Sequence, residues 1–451
     1  MSPKSSRSSP PAALLVSLGC PKNQVDAEAA LSELVADGFA LTATADFADL
    51  ILINTCGFIQ AARDETEAEI ANALAVKKAR PRCRVAIMGC YAQRYRAEIL
   101  TKFPALDGIL GLDAAGNLAA RCRQILAGAP QICGFAPPSA AREAPRLITG
   151  GGSYAYLRVG DGCDNRCAYC AIPSIRGGRR SRAPQAIIDE AKHIVENGFR
   201  ELILVAQDTT IYGADLRPAS SLTALVERIL QATAAPRVRI LYAHPAHLTD
   251  DLLRLLGAEP RLCGYLDLPL QHVGDRLLTA MNRHYGRRRV DEIFERVARY
   301  CPNLTLRSTF IVGFPGETDA EFAELLAFTQ ADRIAHLGAF VYSPEAGTPA
   351  AQLPAPVAPR VAAERLAQIM LAQQKNAFRR LDRRVGATET VLVDALDGKE
   401  ILARSVAEAP EIDHVIKIKT PRRPARKIQA GDFLTVKINR RQDYDLLGEM
   451  A

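Results

Sequence analysis

The chain has 451 residues, 48% hydrophobic and 24% charged, which excludes collagen, a coiled-coil rod and a wholly disordered chain and leaves room for two or three globular domains. Lys+Arg 57 against Asp+Glu 50 gives a formal net charge of +7, enough to favour an anionic partner and too little for a nucleic-acid condenser. Eleven cysteines, an odd number over a long chain, fit metal ligation or free cytosolic thiols better than the paired framework of a small secreted domain.

Met1 to Pro11 is rich in Ser, Pro, Lys and Arg and reads as a disordered start. The following Ala12 to Cys20 is too short for a secretory apolar region, and no apolar run reaches the roughly 18 to 20 residues that span a bilayer, so the expectation is a cytoplasmic protein with no membrane segment. From residue 12 to 134, buried-strand runs (Leu14 to Leu18, Leu50 to Asn54, Val85 to Met88) alternate with amphipathic stretches (Gln24 to Leu34, Arg63 to Lys78). That pattern predicts an open parallel α/β sheet covered by helices. Residues 135–152, Pro- and Ala-rich and ending in Gly150-Gly151-Gly152, read as a linker.

Six further strand candidates follow, spaced to leave a helix between neighbours: Tyr154 to Val159, Glu201 to Val205, Val238 to Tyr242, Tyr265 to Leu268, Leu306 to Val312 and Leu337 to Tyr342. They predict a partial (β/α)6 barrel over residues 153–380. Active sites of such folds lie at the C-terminal strand ends, so Gly160 to Cys170, Gln207-Asp208, His244-Pro245, Gln271-His272, Gly313 to Glu317 and Ser343-Pro344 should share one face. After a helical Val361 to Leu381, residues 381–451 turn to short strands (Thr390 to Asp394, Val415 to Ile418, Phe433 to Ile438), which predicts a small antiparallel β-barrel.

Cys163, Cys167 and Cys170 form C-x3-C-x2-C directly after the first barrel strand. Three thiolates this close can hold three irons of a four-iron cluster, leaving the fourth iron open to a small molecule. The alternative is a structural zinc loop, but zinc asks for four ligands and no matching second pair stands in the sequence. Cys20, Cys56 and Cys90 each lie just past a predicted parallel strand and beside a glycine. Strand ends of an open sheet converge, so three sulfurs distant in sequence can meet there. Three core cysteines are the alternative; the repeated placement favours a cluster. Cys83, Cys122, Cys133, Cys263 and Cys301 show no such regularity and read as packing residues or incidental thiols.

The Cys163 loop resembles the signature of radical S-adenosylmethionine enzymes. The order of three regions resembles the methylthiotransferases, which join an N-terminal cluster domain, a radical domain and a C-terminal TRAM barrel. Ser17-Leu18-Gly19-Cys20-Pro21-Lys22-Asn23, Asn54-Thr55-Cys56-Gly57-Phe58, Gln207-Asp208-Thr209 and Tyr342-Ser343-Pro344 are similar to the branch that methylthiolates the β-carbon of an aspartate in small-subunit ribosomal protein twelve. The tRNA-modifying branch has a different start and an Asn-Thr-Cys-Ser segment, and neither is present here. The resemblance implies two [4Fe-4S] clusters, one on Cys20, Cys56 and Cys90 for sulfur delivery and one on Cys163, Cys167 and Cys170 that binds S-adenosyl-L-methionine. It also implies a reductase or ferredoxin-type electron donor. The glycine-rich methionine-binding segment common in radical enzymes is here Val205-Ala206-Gln207-Asp208, and Gln207, Asp208 and Gln271 are the candidate S-adenosylmethionine contacts.

Two clusters suit the chemistry. Breaking an unactivated C–H bond is beyond side-chain acid–base catalysis, so a cofactor must supply a radical. Sulfur must then reach the carbon from a source held nearby and shielded from water. Among other residues, Arg176, Arg179, Arg180 and Arg182 can contact an acidic substrate or the cofactor carboxylate, or form a solvated basic loop. His244 and His247 favour a structural role over zinc, Gln271 and His272 are placed toward the cavity, and Gly313 to Glu317 reads as amides near the cofactor or as a plain tight turn. Arg422, Arg423, Arg426 and Lys427 form a basic cluster interspersed with Asp432, Asp443, Asp445 and Glu449. This mixed surface suits docking on a ribosomal protein as well as RNA contact. The competing readings are methylthiolation of a tRNA adenosine and, from another class, a non-catalytic iron–sulfur RNA-binding protein.

Overall fold

The computed structural model describes residues 9–112, 117–129, 131–135, 145–398, 400–420 and 427–451. The chain divides into two compact units, one of residues 1–149 with 171–178, the other of residues 150–170 with 179–451. Residues 136–144 of the expected linker, and Arg422, Arg423 and Arg426, lie outside the described residues, as do residues 1–8 of the expected disordered start.

The first unit is built on a six-stranded sheet. Its strands are Ala12–Ser17, Ala40–Leu41, Leu50–Thr55, Arg84–Gly89, Gly108–Leu110 and Ile132–Gly134, all parallel, in the spatial order second, first, third, fourth, fifth, sixth. The period of two along Leu50–Thr55 sends alternate side chains to opposite faces. Leu50 and Leu52 pack with Ala30, Leu34, Leu118 and Ile125 on one face; Ile51 and Ile53 pack with Ile70, Val85, Ile87 and Ile109 on the other. Both faces are therefore covered, as a parallel sheet requires. The strand order reverses between Ala12–Ser17 and Leu50–Thr55, and loops leaving the carboxyl ends at such a switch point diverge to leave a crevice. Cys20 and Cys56 follow these two strands.

The second unit carries another parallel six-stranded sheet: Tyr154–Arg158, Glu201–Val205, Arg237–Ile240, Leu262–Asp267, Thr305–Val312 and His336–Val341, neighbours in space as in sequence. Helices Pro184–Glu196, Leu222–Ala232, Asp250–Ala258, Arg287–Tyr300 and Asp319–Gln330 fall between successive strands. The last of them begins with a capping box in which Thr318 and Glu321 satisfy each other's backbone amides. Helix Pro359–Asp382 leads to a closed barrel of Thr388–Asp397, Glu400–Arg404, Ile416–Lys419, Phe433–Gln442 and Asp445–Met450. One of its pairings, Ile416–Lys419 with Asp445–Met450, is parallel, so the barrel departs from the all-antiparallel expectation at its closing seam.

The barrel is fixed to the amino-terminal edge of the parallel sheet by buried charge. Glu201 accepts from Arg239 Nε at 2.5 Å and from Arg404 Nη1 at 3.0 Å, with all three side chains at 1% exposure or less. Arg237 donates to the carbonyls of Arg404 and Thr390. Burial penalises the Glu201 carboxylate, yet the arginines outweigh it and hold its pKa at about 2.

Candidate functional site

In the first unit the three strand-end cysteines converge. Cys20 is the N-cap of helix Pro21–Ala36, its carbonyl accepting from the amides of Asn23 and Gln24. Cys56 follows Leu50–Thr55 and is pinned through Thr66, which accepts from the Cys56 amide and donates to its carbonyl. Cys90 opens the short helix Cys90–Arg94.

The neighbouring glycines let these loops meet. Gly19 adopts φ +96°, and a Cβ there would stand 2.8 Å from Cys56 Cβ; one on Gly57 would stand 2.7 Å from Tyr91 Cα. The glycine at each site thus makes room for the adjacent cysteine loop.

Asn23 is the hub of this constellation. Its Nδ2 donates to the carbonyls of Leu18 (3.1 Å) and Thr55 (3.0 Å), and its own carbonyl accepts from Asn54 Nδ2 at 2.6 Å. Asn23 Oδ1 lies 3.5 Å from Cys90 Sγ and accepts from Arg176 Nη2 at 2.9 Å. One buried amide thus ties the loops of all three cysteines. Burial pushes every thiol up, and Cys90 reaches about 12. At Cys20 the cations Lys22 and Arg176 outweigh burial and bring the thiol below its ordinary value. The built-in cations thus outweigh burial at Cys20 alone, while Cys56 and Cys90 remain above the ordinary thiol value.

In the second unit, Cys163, Cys167 and Cys170 lie in the loop after Tyr154–Arg158. The loop is held by Ala168, whose amide donates to the Met281 carbonyl and whose carbonyl accepts from Ala350, and by Asn282 Nδ2, which donates to the Arg166 carbonyl. Buried Arg283 reaches Cys167 Sγ at 3.5 Å and donates to the Pro269 carbonyl at 2.6 Å. Burial raises the Cys163 thiol to about 11.

Around the carboxyl ends of the neighbouring strands, Gln207 and Gln271 each keep a buried Oε1 with no partner among the described residues. Gln207 Nε2 donates to Asp161. Gln271 sits at φ +68°, a left-handed conformation of order 1–3 kcal/mol above the ordinary regions for a residue with a Cβ. His244 accepts the Ala246 amide on Nδ1, which leaves the proton on Nε2, and that buried N–H also has no partner among the described residues. Burial, helped by Arg283, drops the His244 pKa to about 3, so the ring is neutral.

Asp208 behaves differently from the two glutamines. Its Oδ2 takes Asn165 Nδ2 and His247 Nδ1, both at 2.7 Å, and its Oδ1 takes the Thr210 amide and hydroxyl. Both oxygens are committed, and the carboxylate holds the cluster loop through Asn165. Asp208, His244 and His247 form the sole set of three metal-capable side chains among the described residues whose ligand atoms all lie within 4.8 Å. Their hydrogen bonds account for that proximity without an ion.

Neither cysteine trio appears in that set. One tetrahedral zinc with Zn–S bonds of about 2.3 Å would draw its sulfurs to roughly 3.8 Å. Neither trio is thus closed to single-zinc spacing, and the unpartnered oxygens of Gln207 and Gln271 fit a polar cofactor at the sheet's carboxyl edge.

Other sequence expectations change. Arg176 is buried in the first unit. Arg179 pairs with Asp164 and Asp215, Arg180 with Asp161, and buried Arg182 with Glu190. The group is neither a solvated basic loop nor a free anion clamp, because each arginine has an acidic partner in the chain. His272 is fully buried, 3.4 Å from Glu317, and Glu317 accepts the Gly313 amide at 2.7 Å. The Gly313 to Glu317 segment is thus a closed turn whose first amide is already used. Cys83, Cys122, Cys263 and Cys301 are buried in packing positions. Sequence reasoning missed Asn23, Asn54 and Arg283 as scaffolding. The first two lay inside quoted motifs, and their spacing beside Cys20 and Cys56 was the available signal.

Comparison with known proteins agrees with this anatomy. Residues 157–329 match the radical SAM superfamily, 13–111 the uncharacterized protein family UPF0004, and 385–451 the TRAM domain. The chain is 40% identical over 442 residues to the ribosomal protein uS12 methylthiotransferase RimO of Trichlorobacter lovleyi, covering 97% of each chain. It is 43% identical over 436 residues to the RimO of Desulforudis audaxviator, covering 96% of this chain and 95% of that one. Among solved structures, the radical S-adenosylmethionine methyltransferase TsrM of Kitasatospora setae shares the fold with a TM-score of 0.52 at 12% identity, over 86% of this chain and 79% of that one.

Proposed function

The chain belongs to the RimO family of radical S-adenosylmethionine methylthiotransferases, and from that membership we propose that it adds a methylthio group to the β-carbon of an aspartate in ribosomal protein uS12. The observation that carries the reading is the presence of two separate cysteine trios, each at the carboxyl edge of its own parallel sheet. We assign Cys163, Cys167 and Cys170 to the cluster that binds S-adenosylmethionine, and Cys20, Cys56 and Cys90 to a second four-iron cluster. When bound, the first would supply the electron that reductively cleaves S-adenosylmethionine, which makes hydrogen abstraction from an unactivated carbon possible, and the second would supply sulfur.

The chain's own residues do the positioning. Gln207 and Gln271 offer buried carbonyl oxygens to the ammonium or hydroxyl groups of S-adenosylmethionine, and neutral His244 offers an N–H. Asp208 acts one step back, fixing Asn165 of the cluster loop, and is a positioning residue. Arg283 holds Cys167 and keeps water from that sulfur. By sequence, the three regions are residues 12–134, 153–380 and 381–451, the first two joined by linker residues 135–152. Linker residues 145–149 are held in the first unit, where Arg146 pairs with Glu28 at 2.5 Å.

A reductase or ferredoxin-type donor completes the reaction, and the TRAM barrel with Lys427 provides a docking surface toward uS12 or neighbouring RNA. No helix among the described residues is long and apolar enough to cross a membrane, and a ribosomal substrate places the reaction in the cytoplasm. The test is anaerobic reaction of the reconstituted protein with uS12, with assembled small subunits and with tRNA, each followed by mass spectrometry. A methylthio mark on an aspartate of uS12 supports the proposal; a mark on tRNA alone overturns it.

A further inference from the structure

Arg176 follows the radical-cluster loop in sequence yet belongs to the first unit, on the short helix Ile172–Arg176. Its side chain is 2% exposed. A single nitrogen, Nη2, lies 2.7 Å from Asp26 Oδ2, 2.9 Å from Asn23 Oδ1 and 3.3 Å from Cys90 Sγ. Nη2 carries two hydrogens for these three acceptors, so the bond to sulfur strengthens with the negative charge on that sulfur. Burying a guanidinium is costly, and a lone pairing with Asp26 could have been made nearer the surface. The group instead reaches past Asp26 to a cysteine sulfur. Ala171, Ile175 and Cys90 close an apolar cluster over the contact, which keeps water away and leaves the charge weakly screened.

We infer that Arg176 positions Cys90 and compensates the charge of the cluster on Cys20, Cys56 and Cys90, raising that cluster's reduction potential and retaining its iron. The inference rests on the reading of those three cysteines as cluster ligands. Its physical basis is that a cluster gaining an electron becomes more negative, and a buried cation hydrogen-bonded to a ligand sulfur stabilises the reduced form. Arg176 touches a ligand rather than the reacting atoms, so its role is positioning.

The experiment uses the full chain with Cys163, Cys167 and Cys170 all changed to Ala, so that any remaining cluster belongs to the first unit. In this background Arg176→Met and Arg176→Lys are compared by iron and sulfide analysis, by redox titration followed by electron paramagnetic resonance, and by the rate of iron loss to a chelator. The background should hold about four irons per chain. Arg176→Met should show a more negative midpoint potential and severalfold faster iron loss. Arg176→Lys, keeping the charge without the planar fork, should restore much of the potential and less of the retention. An Arg176→Met chain matching the background in both measurements overturns the inference. Should that variant fail to fold, Arg176→Lys decides, and iron loss equal to the background's overturns it. A background chain with no iron overturns the underlying reading of Cys20, Cys56 and Cys90 instead.

Discussion

The two cysteine trios solve one problem by opposite means. Cys163, Cys167 and Cys170 come from a single loop, and their proximity is nearly guaranteed by chain connectivity. Cys20, Cys56 and Cys90 come from three loops, and their proximity depends on the register of three parallel strands and on Asn23. Their supports differ in kind as well. The dispersed trio is braced chiefly by the neutral amides of Asn23 and Asn54. The contiguous loop adds carboxylates to its neutral braces at Ala168 and Asn282, with Asp208 on Asn165, Asp161 on Gln207 and Asp164 on the Arg179 amide. One feature is common to both: a buried arginine within hydrogen-bond reach of one sulfur, Arg176 at Cys90 and Arg283 at Cys167. However a thiolate trio is assembled, its negative charge needs a cation once water is removed.

The largest expected effects separate the trios by function. Cys163→Ala should abolish reductive cleavage of S-adenosylmethionine, read as deoxyadenosine release. Replacing Cys20, Cys56 and Cys90 together by Ala should leave that release, abolish methylthio transfer and lower bound iron by about half, since each cluster has its own three cysteines. Unchanged iron in the triple variant would reduce the dispersed trio to core packing.

Asn23→Ala tests whether the dispersed trio depends on its hub. It strands the Leu18 and Thr55 carbonyls and leaves Arg176 with fewer acceptors. At about 1–3 kcal/mol for each buried group left unsatisfied, the loss of stability should be about 3 kcal/mol. Iron should fall toward half while deoxyadenosine release persists. Equal loss of iron from both sites, or none, would show that the amide network does not distinguish them.

Connectivity also decided what could be read from sequence. The contiguous trio was legible from spacing, and the six strands of the second sheet from short apolar and β-branched stretches recurring at intervals that leave room for a helix between them. The dispersed trio was legible only as a repeated placement after strands. Ala40–Leu41, Gly108–Leu110 and Ile132–Gly134 were missed because two or three residues carry no period. Glu400–Arg404 and Asp445–Met450 were missed because their charged residues hide the alternation; Arg404, the most polar of them, is among the most buried. Arg176 was misjudged for a related reason. Four arginines in seven residues look solvated, and only the fold shows that each is matched by an acid.

The difference between amide and carboxylate bracing predicts different responses to acid. Burial penalises the Asp208 carboxylate, but His247, His244 and Thr210 outweigh it and hold its pKa at about 2, against 3.8 for an ordinary aspartate. A carboxylate depressed in the folded state contributes stability that is fully present above the unfolded value and is lost as pH falls through the folded one. At about 1.4 kcal/mol per pKa unit, the contribution is about 2 kcal/mol at neutral pH, fading between pH 4 and 2. In iron-free protein the stability gap between the parent chain and Asp208→Asn should therefore narrow by about 2 kcal/mol as pH is lowered from 5 to 2. Because the amides of Asn23 and Asn54 carry no titrating proton, the gap between the parent and Asn23→Ala should stay constant over the same range. Parallel narrowing of both gaps would mean that acid loosens the two sites through a shared cause, and the distinction between their bracing would fall.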